Sequence, residues 1–324
     1  MKENIINKQT WIAVYGQVLI QDGTITLVPD SEQIDSTTAS LVIDQSPSPP
    51  HAVVKSNIEF DQGTITWEAN VGGADARAQL LLSVEPDVND ASINGATNST
   101  ELATGLNVLG TPYGFALFKN GKWEALGGTG QGSTLPTGKW IKMKLTARGS
   151  NVELFCENVK VVDTTVTLRR AQLGVLLQGS SESSIRNVVV DVEAPTCFAI
   201  MQFTEEFDIL YRDVIRPVCE SYGYKVIRGD DFYTGGQILE DVTRSIRNAA
   251  LIIADVTPEN ANVFYEVGFA HAINKPTILL SDRKREKLPF DISGFRTLFY
   301  DNTIGGKSLV EERLKKHLDA LRPK

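Results

Sequence analysis

At 324 residues, the chain is long enough for two domains that each bury a core of their own. Residues 1–195 carry 14 basic and 21 acidic side chains, a net of −7, and residues 196–324 carry 18 and 19, a net of −1, so neither half has the basic surplus of a nucleic-acid-binding protein. With 42% hydrophobic and 22% charged residues and no run near the roughly 20 apolar residues of a membrane span, the composition predicts a soluble globular protein.

The N-terminus and the cysteines indicate the compartment. The first ten residues, MKENIINKQT, lack the apolar segment of a signal peptide, which predicts a cytoplasmic location. Cys156, Cys197 and Cys219 are odd in number and share no CxxC-type spacing, so the sequence predicts neither a disulfide framework nor a zinc site. With only 3 histidines in the chain, a multi-histidine metal site is not expected either.

Residues 1–195 are predicted to form an all-β domain. Short runs of alternating apolar and polar residues follow one another, separated by Gly, Asn, Asp and Pro, as in antiparallel strands with one face in water. In KWIKMKLTARG, for example, Ile141, Met143 and Leu145 are expected to face the core. About a dozen such runs, with no stretch of helical period, predict a sandwich of two sheets.

The order of these runs carries a resemblance. The segments EFDQGTITWEANV, FALFKNGKWEAL and TGKWIKMKLTARGSNVELFCENVKVV follow one another as in the concanavalin-like jelly rolls of lectins, laminin G domains and glucanases, which the first half resembles. The resemblance implies a sensor or assembly domain, with a carbohydrate or another signal molecule as a candidate ligand. The paired acids at ExDxxE-type spacing that glucanases of this fold use are missing, so we expect no glycanase activity here.

Residues 196–324 change to alternating strands and helices. The strands CFAIMQF, YKVIRGDD, ALIIADVT and TILLS are separated by segments with helical spacing. Segment 207–223 is predicted to be a helix with a kink or restart at Pro217 and an end at Gly223. Short connections of this kind predict right-handed βαβ units and a parallel, doubly wound sheet.

The carboxyl ends of these strands form the candidate site, because ligands of open α/β sheets bind there. The segments at that edge are QFTEEF, RGDDFYTGG and ADVTPENANVFYE. Asp230 and Asp231 follow the second strand, and Asp255 ends the third. Together with Glu266 in the next helix, four carboxylates are expected to meet at one cleft.

The helix of ADVTPENANVFYEVGFAHAINKP holds Glu266 among apolar and small residues. If Asn262 caps the helix, Glu266 lies in about its first turn, near the positive end of the helix dipole. Gly268 and Ala272 are expected to allow a close approach to the sheet. The predicted apolar face consists of Val263, Val267 and Ala270. The alternative interpretation is that Glu266 is only a helix-start carboxylate that the dipole favours.

This half also resembles a known family. A strand-end Asp followed by Asn, an aromatic residue, Glu-x-Gly-x-Ala and, after a few residues, Lys-Pro is similar to the nucleoside 2-deoxyribosyltransferase superfamily and the related bacterial TIR-like domains, over residues 197–300. The resemblance implies a flavodoxin-like catalytic domain. It also implies that Glu266 is the nucleophile at an anomeric carbon and that Asp255 helps to orient the substrate. Phe264 and Tyr265 depart from the transferases, which have a small pair such as Gly-Thr there.

Other residues at this edge are candidates for substrate binding. Arg228 can clamp a phosphate group or can merely pair with neighbouring carboxylates such as Asp230. Aromatic side chains can stack on a base. The candidate substrate-binding residues are Phe203, Arg228, Asp230, Asp231, Asn262 and Tyr265. The basic segment SDRKREKLPFDISGFRT after the fourth strand is interpreted as a solvated loop or as an interaction or lid segment.

The chemistry of the leaving group favours one substrate. Nicotinamide leaves NAD as a neutral molecule, whereas a nucleobase needs an acid such as Asp230 or Asp231. Since the sequence marks out no single acid, we predict an N-glycosidase with NAD as candidate substrate, no cofactor and no metal. The TIR-like resemblance implies a homo-oligomeric bacterial defence effector. The alternatives are a nucleoside 2-deoxyribosyltransferase and a non-catalytic nucleotide-sensing or scaffold protein.

Overall fold

The computed structural model describes residues 9–28, 49–85, 100–231, 238–285, 287–289, 292 and 294–321, without the side chains of Asp231, Ile238 and Ile304. The chain divides into two compact units. The first unit comprises Met1–Ala147 and Val152–Glu193, and the second comprises Arg148–Asn151 and Ala194–Lys324.

The first unit contains two seven-stranded antiparallel sheets. The first sheet consists, in spatial order, of β1 (Trp11–Tyr15), β4 (His51–Phe60), β13 (Ala171–Gln178), β6 (Arg77–Ser83), β7 (Glu101–Val108), β8 (Thr111–Lys119) and β9 (Lys122–Thr129). The second sheet consists of β12 (Val159–Thr165), β11 (Asn151–Cys156), β10 (Ile141–Arg148), β5 (Gly63–Val71), β14 (Ser183–Val192), β3 (Thr24–Leu27) and β2 (Val18–Gln21).

One hydrophobic core joins these two sheets. It includes Phe115 from the first sheet and Trp67 from the second, both almost completely buried. The expected alternation in β10 is confirmed, because Ile141, Met143 and Leu145 are buried and contribute to this core. Apolar residues at every second position therefore give each sheet one buried face, and the predicted two-sheet sandwich is confirmed.

The second unit is built on a parallel sheet of five strands. In spatial order these are β16 (Lys225–Arg228), β15 (Thr196–Ile200), β17 (Leu251–Asp255), β18 (Thr277–Asp282) and β19 (Thr297–Tyr300). The four predicted strands are all present. The fifth strand, β19, was not predicted, because its short apolar run TLFY follows a long polar segment. Numbered by their order within this unit, the strands run 2-1-3-4-5.

Helices cover both faces of this sheet, because successive strand residues point to opposite sides. Cys197 and Ala199 of β15 pack into one apolar cluster with the helices α1 (Glu205–Leu210), α2 (Arg216–Ser221) and α5 (Ile304–Leu321). Phe198 and Ile200 pack into another with α3 (Ile238–Asn248) and α4 (Ala261–Ala272). The doubly wound arrangement predicted for this half is therefore present.

The expected irregularity at Pro217 is a turn of π-helix. Residues Tyr211–Ile215 form this wider turn between α1 and α2. Proline donates no backbone hydrogen bond and its ring clashes with the carbonyl four residues earlier, and a π turn relieves both conflicts without ending the helix. The segment ends before Gly223, which has a φ of 86° and so takes the left-handed conformation expected after a helix.

Among the helices in the described part of the chain, none has the length and apolar character needed to cross a membrane.

Candidate functional site

The strand register places several polar residues at one edge of the parallel sheet. Arg228 ends β16 beside Ala199, and Asp255 ends β17 beside Leu280. Tyr300 ends β19 beside Asp282 of β18. Because all five strands are parallel, their carboxyl ends share one edge, where the sequence predicts the site.

Arg228 is almost completely buried and is held by two carboxylates. Its Nε and Nη2 donate to the two oxygens of Asp230, with 2.6 Å between Nε and Oδ1, and its Nη1 donates to Asp208 Oδ1 at 2.6 Å. Burial acts to lower the pKa of Arg228, but the hydrogen bonds with these carboxylates outweigh it, and the pKa is raised. The sequence left two interpretations of Arg228 open, and this geometry shows that Arg228 pairs with neighbouring carboxylates. The phosphate clamp remains a prediction.

Aromatic rings flank the same guanidinium group. Its carbon lies 5.2 Å from the ring centre of Phe203 and 4.6 Å from that of Tyr211. The Phe203 side chain is 56% exposed, so one face of the ring is free to stack on a ligand. Phe203, Arg228 and Asp230 therefore lie together at the ends of β15 and β16, and their role in substrate binding stays a prediction. The side chain of Asp231 lies outside the described residues, as do residues 232–237 of the following loop.

Asp255 is fully buried at the end of β17. Its Oδ1 accepts from the backbone N–H of Thr257 at 2.9 Å, and its Oδ2 accepts from the Tyr300 hydroxyl at 2.8 Å. Burial raises the pKa of Asp255 to about 6, and the bonds from Thr257 and Tyr300 act to lower it. In this conformation Asp255 does not reach solvent, so it can act on a substrate only through the residues that it holds.

The loop after β17 is fixed by further contacts. The Thr257 hydroxyl accepts from the backbone N–H of Asp282 at 2.8 Å, which ties the loop to the end of β18. The guanidinium of Arg285 donates to the carbonyls of Val256 and Thr257 at 2.7 and 2.6 Å. These contacts hold the backbone that leads into α4 and make Asp255 the centre of a buried polar network.

Helix α4 begins two residues earlier relative to Glu266 than the sequence predicts. The cap is Asn260, whose side-chain oxygen accepts from the backbone N–H of Asn262 at 3.0 Å. Glu266 is therefore the sixth residue of the helix and lies in its second turn. At 1.5 Å per residue it stands roughly 7 Å along the axis from the helix start, where the dipole has little effect.

The faces of α4 agree with the prediction in part. Val263, Val267 and Ala270 are buried against the sheet, as predicted. The expected close approach at Gly268 and Ala272 is wrong, because both residues are exposed and a β-carbon at Gly268 would meet nothing within 4 Å. The candidate ligand residues Asn262 and Tyr265 are exposed, with Tyr265 at 52%.

Glu266 lies at the border of the buried face, one residue before Val267. Its side chain is partly buried, and it makes no hydrogen bond or ion pair with any residue that the structure describes. Burial alone raises its pKa to about 7. A carboxyl group in this state is poised between the neutral and charged forms at neutral pH, as catalytic carboxyl groups often are.

Three of the four expected carboxylates have side chains that the structure describes, and their environments differ. Asp230 is neutralised by Arg228, Asp255 is enclosed by hydrogen bonds, and Glu266 stands without a partner among the described residues. The sequence did not single out Thr257, Tyr300 or Arg285. Tyr300 carried no local signal, because it ends β19, a strand too short to be recognised from its own residues.

The fold and this edge define a class of protein: an antiparallel β-sandwich followed by a parallel α/β unit with a partly buried carboxyl group on α4. No family model matches the chain. No curated protein matches it either.

Solved structures resemble part of the chain. The carbohydrate-binding module CBM66 from Bacillus subtilis is 14% identical, with a TM-score of 0.37 over 55% of this chain and 92% of its own. A prokaryotic β-1,3-1,4-glucanase (lichenase) derived from a mouse hindgut metagenome is 9% identical, with a TM-score of 0.37 over 55% and 90%. A Bacillus subtilis protein of unknown function with a galectin-like fold is 13% identical, with a TM-score of 0.36 over 56% and 87%. Similarity at this level carries no conclusion about activity.

Proposed function

We propose that the second unit cleaves the N-glycosidic bond of NAD or a related nucleotide, with Glu266 as the carboxylate that meets the anomeric carbon. The observation that carries the proposal is the state of this side chain. Glu266 is partly buried on the helix that follows the strand-end Asp255, and no described cation compensates it. Such a carboxyl group is costly to keep in charged form, which favours a role with a cationic ligand.

The chemistry fits a cationic substrate. In NAD the bond between the ribose anomeric carbon and the pyridinium nitrogen breaks, and its electron pair goes to the nitrogen, so that neutral nicotinamide leaves. The ribose carbon becomes oxocarbenium-like, and the Glu266 carboxylate stabilises it or bonds to it until water adds and releases a proton. The pyridinium charge also favours the ionised form of Glu266.

Nucleoside 2-deoxyribosyl transfer receives less support. A neutral nucleobase needs an acid to protonate it, and Asp230 is engaged in a two-point pair with Arg228. The remaining candidate in the described chain, Asp255, is enclosed by Thr257 and Tyr300. The complete burial of Asp255 favours instead the second alternative, a non-catalytic nucleotide-binding protein. In that protein the carboxyl ends of the strands would only hold a ligand.

The whole chain fits the same proposal. We infer that the second unit is flavodoxin-like, of the deoxyribosyltransferase or TIR-like kind, because its strand order is 2-1-3-4-5. The sandwich would be a concanavalin-like sensor or assembly module, with a carbohydrate or signal molecule as ligand. We place this homo-oligomeric enzyme in the cytoplasm, where it would act as a bacterial antiviral effector.

Mass spectrometry of the full-length protein incubated with NAD and with a purine deoxynucleoside tests the proposal. We expect nicotinamide release from NAD, and a fall of about a hundredfold or more in turnover for Glu266→Gln, which keeps the size and removes the charge. Asp255→Asn, which acts through its neighbours, should reduce turnover less. If Glu266→Gln turns over the substrate at the wild-type rate, the carboxylate assignment is wrong, and if neither compound is cleaved the binding alternative is favoured.

A further inference from the structure

A second candidate site lies on the opposite face of the same sheet from α4. A cavity of about 370 Å³ opens between the edge strand β19 and the second half of helix α5. Its charged and aromatic lining residues are Arg283, Arg296, Phe299, Arg313, Lys316 and His317. The volume is within the range of small-molecule sites, which begins at roughly 300 Å³.

The charges in this cavity all have one sign among the described residues. Three arginines and a lysine line it together with the uncharged ring of His317, and no carboxylate does. The chain as a whole has a net charge of −8, so this concentration of cations is against the general trend. Arg283 and Arg296 come from the basic segment after β18, so part of that segment contributes to the positive charge of the cavity.

Neighbouring groups leave much of this charge uncompensated. Arg283 and Lys316 each pair with one acidic side chain, Asp301 at 3.4 Å and Glu312 at 2.6 Å, on the exposed surface where such pairs are weak. Arg313 is held by a carbonyl, since its Nη1 donates to Phe299 O at 3.0 Å.

Arg296 is the clearest uncompensated charge. It makes no hydrogen bond or ion pair with any residue that the structure describes, and its side chain is exposed. Burial lowers the pKa of His317, and the nearby charge of Arg296 lowers it further, which independently indicates a positive potential in the cavity.

One wall of the cavity is suited to an organic group. Phe299 lines this wall with its backbone carbonyl, to which Arg313 donates. Leu298 and Ala320 add apolar surface. A ligand with an anionic head and a flat or apolar body would therefore find a partner for each part.

We propose that this cavity binds a small phosphate-bearing molecule, with Arg296, Arg313 and Lys316 around the phosphate and the apolar surface of Leu298 and Ala320 against the organic part. Guanidinium groups bind phosphate through paired hydrogen bonds, and the ammonium group adds a compact positive charge. The site is separate from Glu266, because α5 packs on one face of the sheet and α4 on the other. It therefore does not depend on the proposed glycosidase activity.

Isothermal titration calorimetry of the full-length protein tests this inference, with inorganic phosphate, AMP and adenosine as probes at a fixed ionic strength. Arg296→Gln and Lys316→Gln remove exposed charges from the cavity, so both variants should fold. The matched control is Lys315→Gln, an exposed lysine on the same helix outside the cavity.

We expect phosphate and AMP to bind, with AMP the tighter ligand and adenosine much weaker than AMP. Each cavity variant should weaken AMP binding about tenfold, as expected for the loss of a charged hydrogen bond, while Lys315→Gln binds as the wild type does. Equal losses in Lys315→Gln would show a diffuse electrostatic effect and overturn the site. Equal affinity for adenosine, or no binding of phosphate or AMP, would also overturn it.

Discussion

At the scale of single residues, the protonation state of Glu266 decides between the functional interpretations. Its folded-state pKa is raised to about 7 by burial, above its ordinary value of 4.5. If the ionised form acts, kcat/KM for NAD should fall as the pH decreases through about 7, and this limb should be absent in Glu266→Gln. Rate measurements between about pH 5 and pH 9 would show it. A fall above pH 7 instead would assign Glu266 as a general acid.

The same shift affects stability. A carboxyl group whose folded-state pKa is raised favours folding below 4.5 and loses that contribution as the pH rises through about 7. Glutamine resembles the neutral form at every pH. The Glu266→Gln protein should therefore be more thermally stable than the wild type above pH 7 and differ little from it near pH 4. Functional groups often reduce the stability of a protein in this way. Thermal unfolding at the two pH values measures the difference.

At the scale of secondary-structure elements, α4 depends on its cap. The side chain of Asn260 satisfies the backbone N–H of Asn262, and its loss leaves that donor unpaired in the first turn. We expect Asn260→Ala to cost about 1 kcal/mol of unfolding free energy and to lower Tm by roughly 3 °C. The matched control is Asn262→Ala, which keeps the backbone donor. A larger loss for Asn262→Ala would mean that the cap is assigned to the wrong asparagine.

Two elements show where local sequence signals succeed and where they are incomplete. The helix stop at Gly223 was predictable because only a residue that tolerates positive φ fits there. The strand β19 was not predictable from the sequence. Its apolar run TLFY has only four residues, which is too short a signal without the neighbouring strand β18. Its recognition depends on the hydrogen bonds that only the folded sheet supplies.

At the scale of the whole molecule, the second unit has apolar clusters of its own on both faces of its sheet. We therefore expect a fragment of residues 196–324 to fold without the sandwich. Differential scanning calorimetry should give one cooperative transition for the fragment. No transition for the fragment, when the full-length chain gives one, would indicate that the two halves fold as a single unit.

The proposed assembly role of the sandwich gives the last prediction. The TIR-like assignment proposed for the second half implies an oligomer, so the full-length chain is expected to exceed its monomer mass of 35.5 kDa. Light scattering of the full-length protein, with activity measured at the same concentrations, tests this. Full activity from a purely monomeric sample at nanomolar concentration would remove the assembly role.

The sequence by itself determined the alternation of β10, the order of the first four strands and the intervening helices of the second half, and the apolar face of α4, because each depends on residues close together in the chain. Only the tertiary structure decided the state of each carboxyl group. Asp255 meets Tyr300 across 45 residues of sequence, Arg228 meets Asp208 across 20, and Glu266 has no described partner. Burial and charge pairing arise from elements brought together by folding, and local patterns carry no record of which side chain will meet which.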